Sequence, residues 1–260
     1  MSRRAGRARR APGRPATRAG LPALLLALAA GLPAAGAAQE VGNPPDQSPY
    51  RDIFFHQGVT VFAGRFDGNL GRAGVGAMPG FALGAQLAIR LSGPVDFWVT
   101  LAQAQSRRLT ILADTAVTHT DSARNGPRID MPLLFADIGL GLNITGDKTW
   151  HGFAPYVGAN LGIAAPTHKV TDPGGFQVGT NFAIAPAIGT RFFLSRSLAL
   201  RFEVRDYFFR YQYPLAYFDS LNLHYAGPPP RGAVLPLTTT DREWVGNVTL
   251  WLGVVYVFTF

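Results

Sequence analysis

Three charged residues at alternate positions form the most specific polar pattern in the chain. Arg201, Glu203 and Arg205 alternate with apolar residues, which occupy the even positions from Leu198 to Val204. Because successive side chains of a β-strand point to opposite faces, the three charges share one face and the apolar residues share the other. Such a charged face can form a structural ion-pair network, or it can line a conduction path.

Other strand-like segments carry charged residues on the same parity. The complete predicted set is Arg90, Asp96, Asp137, Arg191, Arg201, Glu203 and Arg205. In a narrow interior these opposite charges would be close enough to pair. We therefore expect a lumen charge network, and we favour the structural role over conduction.

Histidines are the natural candidates for acid-base or nucleophilic catalysis. The chain has five of them, and they are scattered: His56, His119, His151, His168 and His224. His119 has hydroxyl and carboxyl neighbours, but neighbours within a loop do not establish the geometry of a triad. The sequence therefore predicts no catalytic residue, no cofactor and no metal site, and the absence of Cys excludes disulfides and thiolate ligands.

The elements that position the charged residues are predicted strands. Period-2 alternation of apolar with small or polar residues occurs in eight stretches, each as long as the 9 to 11 or so residues that a tilted membrane strand needs. They lie at about 52–66, 80–91, 95–106, 131–145, 152–165, 179–194, 197–211 and 243–260. This pattern predicts an all-β protein.

The connections between the eight stretches alternate in length. Those after the second, fourth and sixth stretches are short and rich in turn residues, whereas the others are longer and the last runs from Tyr213 to Arg242. Short turns at one end and long loops at the other are typical of outer-membrane barrels. The last loop is long enough for surface recognition, for a lid or for a merely solvated excursion.

A soluble eight-stranded barrel, such as a lipocalin, would turn its large apolar residues inward. In this chain the polar faces instead carry Gly, Ala, Asn and Thr, which suit a narrow interior, while the apolar faces carry large residues. We therefore predict an up-and-down, eight-stranded antiparallel transmembrane β-barrel over residues 52–260. Asp206 has the parity of the lipid-facing residues, so we expect it near the outer interface or beside a bulge.

The N-terminal segment has the composition of a secretory signal. Seven arginines precede residue 20, an apolar run follows from Leu21 to Leu32, and small residues end at Ala38. Without residues 1–38 the chain has 17 basic and 16 acidic residues, so its charge gives no reason to expect a nucleic-acid partner. We expect cleavage after Ala38, with residues 39–51 forming a short periplasmic segment.

The chain ends on a strand with aromatic residues at alternate positions, namely Tyr256, Phe258 and Phe260. This ending resembles the C-terminal assembly signal of bacterial outer-membrane β-barrels. The mature chain is similar to the small group that includes the OmpA membrane domain, OmpX and OmpW. The resemblance implies a location in the outer membrane, contact with its lipid and insertion by the outer-membrane assembly machinery.

Two further expectations concern the barrel wall. Aromatic residues near the predicted strand ends should form the two interface girdles. The expected members are Phe54, Phe55, Phe97, Trp150, Phe192, Phe258 and Phe260 at one end and Phe66, Phe81, Phe208, Tyr211 and Trp244 at the other. Pro155 and Pro186 each remove a hydrogen-bond donor from a strand, so we expect a bulge or an irregularity at one or both.

The function that these features favour is non-enzymatic. We expect a monomeric envelope protein with a structural or surface-interaction role, a lumen plugged by charge pairs and long loops able to meet an extracellular ligand. The alternatives are a channel for small solutes or hydrophobic compounds, as OmpW-like barrels suggest by resemblance, and a lipid-modifying barrel enzyme, which has no triad to support it. A plugged lumen favours the first, a continuous wet lumen the second, and a cluster of catalytic side chains at the outer rim the third.

Overall fold

A computed structural model describes residues 48–53, 55–111, 125–172, 175–218, 234–235 and 238–258 of the chain. All of these residues belong to one compact unit, Ser48–Phe260. The predicted signal segment, 1–38, and most of the predicted periplasmic segment lie outside the described residues. Within the described ranges, no helix is both long enough and apolar enough to cross a membrane.

The described residues form twelve strands and one turn of 3-10 helix, Leu215–Tyr217. The strands are β1 (Tyr50–Asp52), β2 (Gln57–Asp67), β3 (Gly80–Ser92), β4 (Val95–Gln105), β5 (Arg107–Ile111), β6 (Asn125–Asp130), β7 (Leu133–Asn143), β8 (Lys148–Trp150), β9 (Phe153–Pro166), β10 (Asn181–Phe193), β11 (Leu198–Gln212) and β12 (Arg242–Phe258).

Eight of these strands close into a barrel. They follow the order β9, β10, β11, β12, β2, β3, β4 and β7, and the pairing of β7 with β9 completes the ring. Every pairing in the ring is antiparallel. Closure gives each strand a hydrogen-bonding neighbour on both sides, which is what backbone groups require in hydrocarbon. The predicted fold class is confirmed.

The eight predicted stretches correspond to these eight strands, with different ends. The first barrel strand begins at Gln57 and not at 52, and residues 50–52 form the separate strand β1, which pairs with β8. The connection from β7 to β9 contains β8 and is longer than a simple turn. We call the end with the β3–β4 and β10–β11 turns the short-turn end, and the opposite end the long-loop end.

The two faces of the wall have opposite characters. Large apolar side chains point outward, and Leu83, Leu101 and Leu252 expose 54%, 56% and 63% of their surface. Small and polar residues point inward, among them Ala102, Thr100 and Asn160, which are all buried. A barrel with an apolar exterior and a polar, packed interior is built for lipid outside and side chains inside.

Glycines allow the narrow interior to close around large side chains. A Cβ on Gly141 would lie 1.8 Å from Trp98 Cζ2, and one on Gly158 would lie 2.3 Å from Trp98 Cζ3. Trp98 is completely buried on the lumen side of β4. The inward glycines of β7 and β9 therefore form the surface against which this indole packs.

The prediction about prolines is right for Pro186 only. The register of β10 with β11 is the same on both sides of Pro186, but no pairing occurs between Ile184↔Phe208 and Ala187↔Arg205. Asp206 is the residue opposite this interruption, which agrees with its expected place beside an irregularity. Pro155 keeps continuous pairing with β10, whereas the register shift of the ring lies between Arg90 and Ser92.

The girdle prediction is wrong for three aromatic residues. Phe55, Phe66 and Tyr211 are almost completely buried, because they point into the lumen and not toward lipid. Phe81, Trp150 and Trp244 are exposed near the strand ends, as expected of interface residues. Phe54 and Phe260 lie outside the described residues.

Candidate functional site

The centre of the lumen is occupied by Glu203 and its two neighbours on β11. Arg205 donates from Nε to Glu203 Oε1 at 2.9 Å, and Arg201 donates from Nη2 to Glu203 Oε2. Arg205 also reaches β7, where its Nη1 lies 3.0 Å from Asp137 Oδ1. The four side chains are thus a single row of alternating charge, and none exposes more than 3% of its surface.

Uncharged polar side chains tie this row to three further strands. Tyr156 of β9 donates to Glu203 Oε2 at 2.8 Å and accepts from Arg201 Nε at 2.6 Å. Gln86 of β3 accepts a hydrogen bond from Arg201, and its own Nε2 donates to Thr100 Oγ1 of β4 at 3.0 Å. Sequence reasoning missed these residues, although their inward parity was visible in the alternation.

A second layer of charge lies nearer the short-turn end. Asp96 is its centre, because Arg90 Nε lies 2.7 Å from Oδ1 and Arg191 Nη2 lies 2.6 Å from Oδ2. Asn143 of β7 donates to the same Oδ2 at 3.2 Å. Arg90 also contacts Asp147 Oδ1 at 2.8 Å, which brings an exposed carboxylate to the edge of this layer.

The two layers together hold all seven charged residues of the predicted set. They connect side chains from β3, β4, β7, β9, β10 and β11, which makes six of the eight barrel strands. Removing charges from water is costly, and direct pairing with further hydrogen bonds is what offsets that cost. The four arginines face three buried carboxylates and Asp147, so the charges of the two layers balance.

Aromatic rings fill the space between the charged layers. Trp98 and Tyr156 pack edge to face, with centroids 5.4 Å apart. The guanidinium of Arg201 lies over both rings, at 5.2 Å from Trp98 and 5.0 Å from Tyr156. A desolvated cation over an aromatic face is favourable, so these rings stabilise the buried arginine while they exclude space from the lumen.

Phe55 closes the lumen at the short-turn end. It precedes β2 and is 2% exposed, with the guanidinium of Arg191 4.7 Å and that of Arg90 5.5 Å from its ring centre. The backbone of the same segment is anchored, since Ile53 N donates to Asp147 O at 2.8 Å. We call Phe55 the basal aromatic; its position shows that the segment before β2 enters the barrel mouth.

Aromatic residues also fill the lumen at the long-loop end. Phe135 of β7 and Tyr207 of β11 stack with centroids 4.1 Å apart, and Phe66 of β2 lies 5.9 Å from Phe135. Above them the hydroxyl of Tyr211 accepts a hydrogen bond from Ala77 N at 2.9 Å and donates to Asn69 O at 3.2 Å, and both of these backbone atoms belong to the β2–β3 loop.

Three long connections meet above this aromatic layer. Arg108 of β5 contacts Asp172 of the β9–β10 loop at 2.5 Å, and Tyr217 of the β11–β12 loop donates to Asp172 Oδ2 at 3.2 Å. Phe176 stacks with Tyr217 and lies 5.4 Å from the Arg108 guanidinium. We call these four residues the loop hub; all of them are buried.

Two tyrosines at this end have shifted acidity. Burial, followed by the charge of Asp172, raises the pKa of Tyr217 above its ordinary value. Burial, followed by its hydrogen bond to Glu243, raises the pKa of Tyr213 as well. Both phenols therefore remain protonated donors at any physiological pH.

The structure does not bring the described histidines together. His56, His151 and His168 are exposed, and Nδ1 of His168 lies 3.1 Å from Thr167 Oγ1. His119 and His224 lie outside the described residues. In the described ranges there is also no group of three or more His, Asp or Glu side chains that could hold a metal ion.

The described part of the C-terminal motif lies on the outer wall. Tyr256 is 59% exposed, and its ring stacks on that of Phe258 with centroids 6.4 Å apart. Phe260 is outside the described residues. The motif thus presents aromatic rings to the surroundings and not to the lumen.

Comparison with solved structures finds other small barrels. Neisserial surface protein A is 15% identical and matches 81% of this chain and 98% of its own, with a TM-score of 0.45. OprG from Pseudomonas aeruginosa is 14% identical over 80% of this chain and 100% of its own, also with a TM-score of 0.45. Ail of Yersinia pestis is 13% identical over 78% and 97%, with a TM-score of 0.35. No protein-family model and no curated protein matches the chain.

The chain has the fold of the small outer-membrane β-barrels. That statement rests on its own closed ring of eight antiparallel strands and on its apolar exterior.

Proposed function

We propose that this protein is a non-enzymatic integral protein of the bacterial outer membrane whose lumen is plugged by charge pairs. The observation that carries the proposal is the continuous pairing of Arg90, Asp96 and Arg191 in one layer and of Arg201, Glu203, Arg205 and Asp137 in the next. A path for solutes through the barrel would have to separate these pairs. Separation would leave buried charges without partners, which is strongly unfavourable.

The material above and below the charged layers supports the same proposal. The basal aromatic, Phe55, covers the Asp96 layer at the short-turn end. Phe66, Phe135 and Tyr207 cover the Glu203 layer toward the long-loop end. A closed interior of this kind makes a rigid wall, and the long loops are then the parts available for contacts with an extracellular ligand.

Planar-bilayer recording of the refolded mature chain, residues 39–260, tests the proposal. Altered gel mobility of the unboiled sample would first show that the barrel has folded, and a general porin in the same bilayer would show that conductance can be detected. We expect no discrete conductance steps from the folded chain. Reproducible steps would overturn the plugged-lumen proposal and favour a channel for small solutes.

A separate proposal concerns assembly. We propose that the terminal strand is recognised by the outer-membrane assembly machinery through Tyr256, Phe258 and Phe260, because the described rings of this motif face outward. Deletion of Phe260 should lower the amount of folded barrel in the outer membrane of cells while leaving refolding of the purified chain unchanged. Equal amounts of folded protein in cells would contradict this proposal.

A further inference from the structure

A half-open cavity lies beside the long-loop ends of β10 and β11. The pairing of these strands begins at Ala183↔Phe209, but β11 continues to Gln212. The chain before β10 passes beside this extension, which pairs with β12 but not with β10, and the two segments line a half-open cavity of about 470 Å³. Residues that line it include Gln177, Thr180, Asn181, Arg210 and Gln212. We call this cavity the wall slot.

Arg210 distinguishes the wall slot from an ordinary surface hollow. It has the outward parity of β11, is half-buried, and lies directly across from Trp244 in the register with β12. Among the described residues it forms no ion pair, whereas the arginines of the lumen layers are all paired with carboxylates. The slot therefore offers a guanidinium whose donors remain available to an anion.

Apolar side chains continue from the slot down the outside of the wall. Phe182, Ile184 and Phe208 expose 54%, 40% and 37% of their surface, and Ile184 and Phe208 are paired neighbours. They follow immediately after the last polar residues of the slot along β10 and β11. One end of this surface is thus polar and cationic, while the other is apolar and faces hydrocarbon.

The position of the slot agrees with the level of lipid headgroups. Tryptophan is enriched where the hydrocarbon meets the polar region, and Trp244, which is 54% exposed, marks that level beside Arg210. Long basic side chains at the same level extend toward lipid phosphates. Amide side chains such as Gln177 and Gln212 add hydrogen-bonding groups for sugar hydroxyls or phosphate oxygens.

We propose that the wall slot binds the phosphorylated headgroup of an outer-leaflet glycolipid, with Arg210 contacting the phosphate and an acyl chain lying along Phe182, Ile184 and Phe208. The inference rests on the barrel spanning a membrane, but it does not depend on whether the lumen is closed. A free phosphate would use the cation alone, whereas the apolar row beneath it selects an amphiphile. Arginine suits this role because its planar fork matches two phosphate oxygens.

Lipid binding to the refolded chain, residues 39–260, in a neutral detergent tests the proposal. Native mass spectrometry would count bound molecules of diphosphorylated lipid A, of its dephosphorylated form and of inorganic phosphate. We expect one tightly bound diphosphorylated molecule, with at least tenfold weaker binding of the other two. Equal binding of the dephosphorylated lipid would overturn the role of the phosphate, and equal binding of inorganic phosphate would overturn the choice of a lipid.

Substitutions of Arg210 test whether the lipid binds at the wall slot. Arg210→Ala should weaken binding of diphosphorylated lipid A about tenfold, as loss of a charge-assisted hydrogen bond predicts, and Arg210→Glu should weaken it further. The matched control is Arg65→Ala, since Arg65 is an exposed arginine of the outer wall that likewise forms no ion pair among the described residues, but it lies on β2. Equal effects at both positions, or none at Arg210, would overturn the assignment.

The lipid-binding and conductance measurements can contradict the wall-slot proposal and the plugged-lumen proposal independently of each other. Gel mobility would confirm that each variant is folded, so that a loss of lipid is not a loss of structure. A conducting barrel that binds the lipid through Arg210 would overturn the plugged lumen alone. A folded barrel that shows no conductance steps and does not bind diphosphorylated lipid A would overturn the wall-slot proposal alone.

Discussion

Nε of Arg205 lies 2.9 Å from Oε1 of Glu203, and both residues belong to β11. Side chains separated by two positions share a face, so the strand brings its own opposite charges together without help from the rest of the fold. The wall then adds Asp137 from β7 and Thr100 from β4, both within 3.2 Å of Arg205 Nη1. This pair is therefore the centre from which the lumen network extends.

Glu203→Gln should strongly destabilise the barrel. The amide cannot neutralise Arg201 and Arg205, which would remain buried with less compensating charge. We expect the free energy of unfolding to fall by about 3 kcal/mol, measured from the urea midpoint of the refolded chain in lipid. Asp147→Asn is the control, because its carboxylate is 63% exposed and its loss should cost less than about 1 kcal/mol. Equal midpoints for wild type and Glu203→Gln would contradict the prediction.

Phe55→Ala should open the short-turn end of the lumen. The substitution removes a buried ring that contacts the guanidinium groups of Arg90 and Arg191. We expect a loss of about 3 kcal/mol in stability and easier quenching of tryptophan fluorescence by acrylamide, since Trp98 belongs to the same buried cluster. Tyr50→Ala removes an exposed aromatic from the same segment and should change neither quantity. Unchanged quenching in folded Phe55→Ala would count against the basal closure.

Asp172→Asn should release the long loops from one another. Asp172 pairs with Arg108 and accepts a hydrogen bond from Tyr217, so its neutralisation leaves a buried arginine poorly compensated. We expect loop cleavage by trypsin to accelerate at least tenfold, while the barrel itself keeps its gel mobility. The matched control is Asp130→Asn, because the Arg107–Asp130 pair is exposed on both sides. Cleavage at the same rate in both variants would show that the loop hub does not hold the loops.

Gly141→Ala should create a steric clash with the packed indole of Trp98. The added methyl group would lie 1.8 Å from the indole, and that ring is already packed edge to face against Tyr156. We expect a loss of about 2 kcal/mol in stability, measured by urea unfolding. Gly179→Ala is the control, because no heavy atom lies within 4 Å of a Cβ at that position. A similar loss in both variants would assign the effect to backbone flexibility instead.

Alkaline titration should leave Tyr213 and Tyr217 protonated beyond the usual range. Their pKa values are raised in the folded state above the ordinary 10.0, so their contribution to stability is complete below about pH 10 and is lost as the pH rises through the raised folded values. The tyrosinate absorbance step near pH 10 should therefore have the same amplitude in wild type and in Tyr213→Phe/Tyr217→Phe. A smaller step in the double variant would show that the two phenols ionise normally.

The period of the sequence determined the fold class. Eight alternating stretches predicted eight strands, and the placement of small residues on the polar parity predicted which face would be enclosed. The same parity selected the seven charged residues of the lumen, because in a strand the side-chain direction depends only on odd or even position. Strand ends were less predictable: the first stretch was predicted to begin at about residue 52, yet Asp52 belongs to the separate strand β1, which pairs with β8, and the barrel strand begins at Gln57.

Only the tertiary structure decided which of these charges meet. Asp96 pairs with Arg90 across a turn but also with Arg191, which is 95 positions away, and no local pattern encodes that distance. The same holds for Phe55, Phe66 and Tyr211, which the sequence placed in interface girdles and the fold placed in the lumen. Aromatic side chains are suited both to a membrane interface and to a packed lumen, so residue type alone could not distinguish the two positions. Closure of the ring brings distant strands into register, and the register determines which side chains share the enclosed volume.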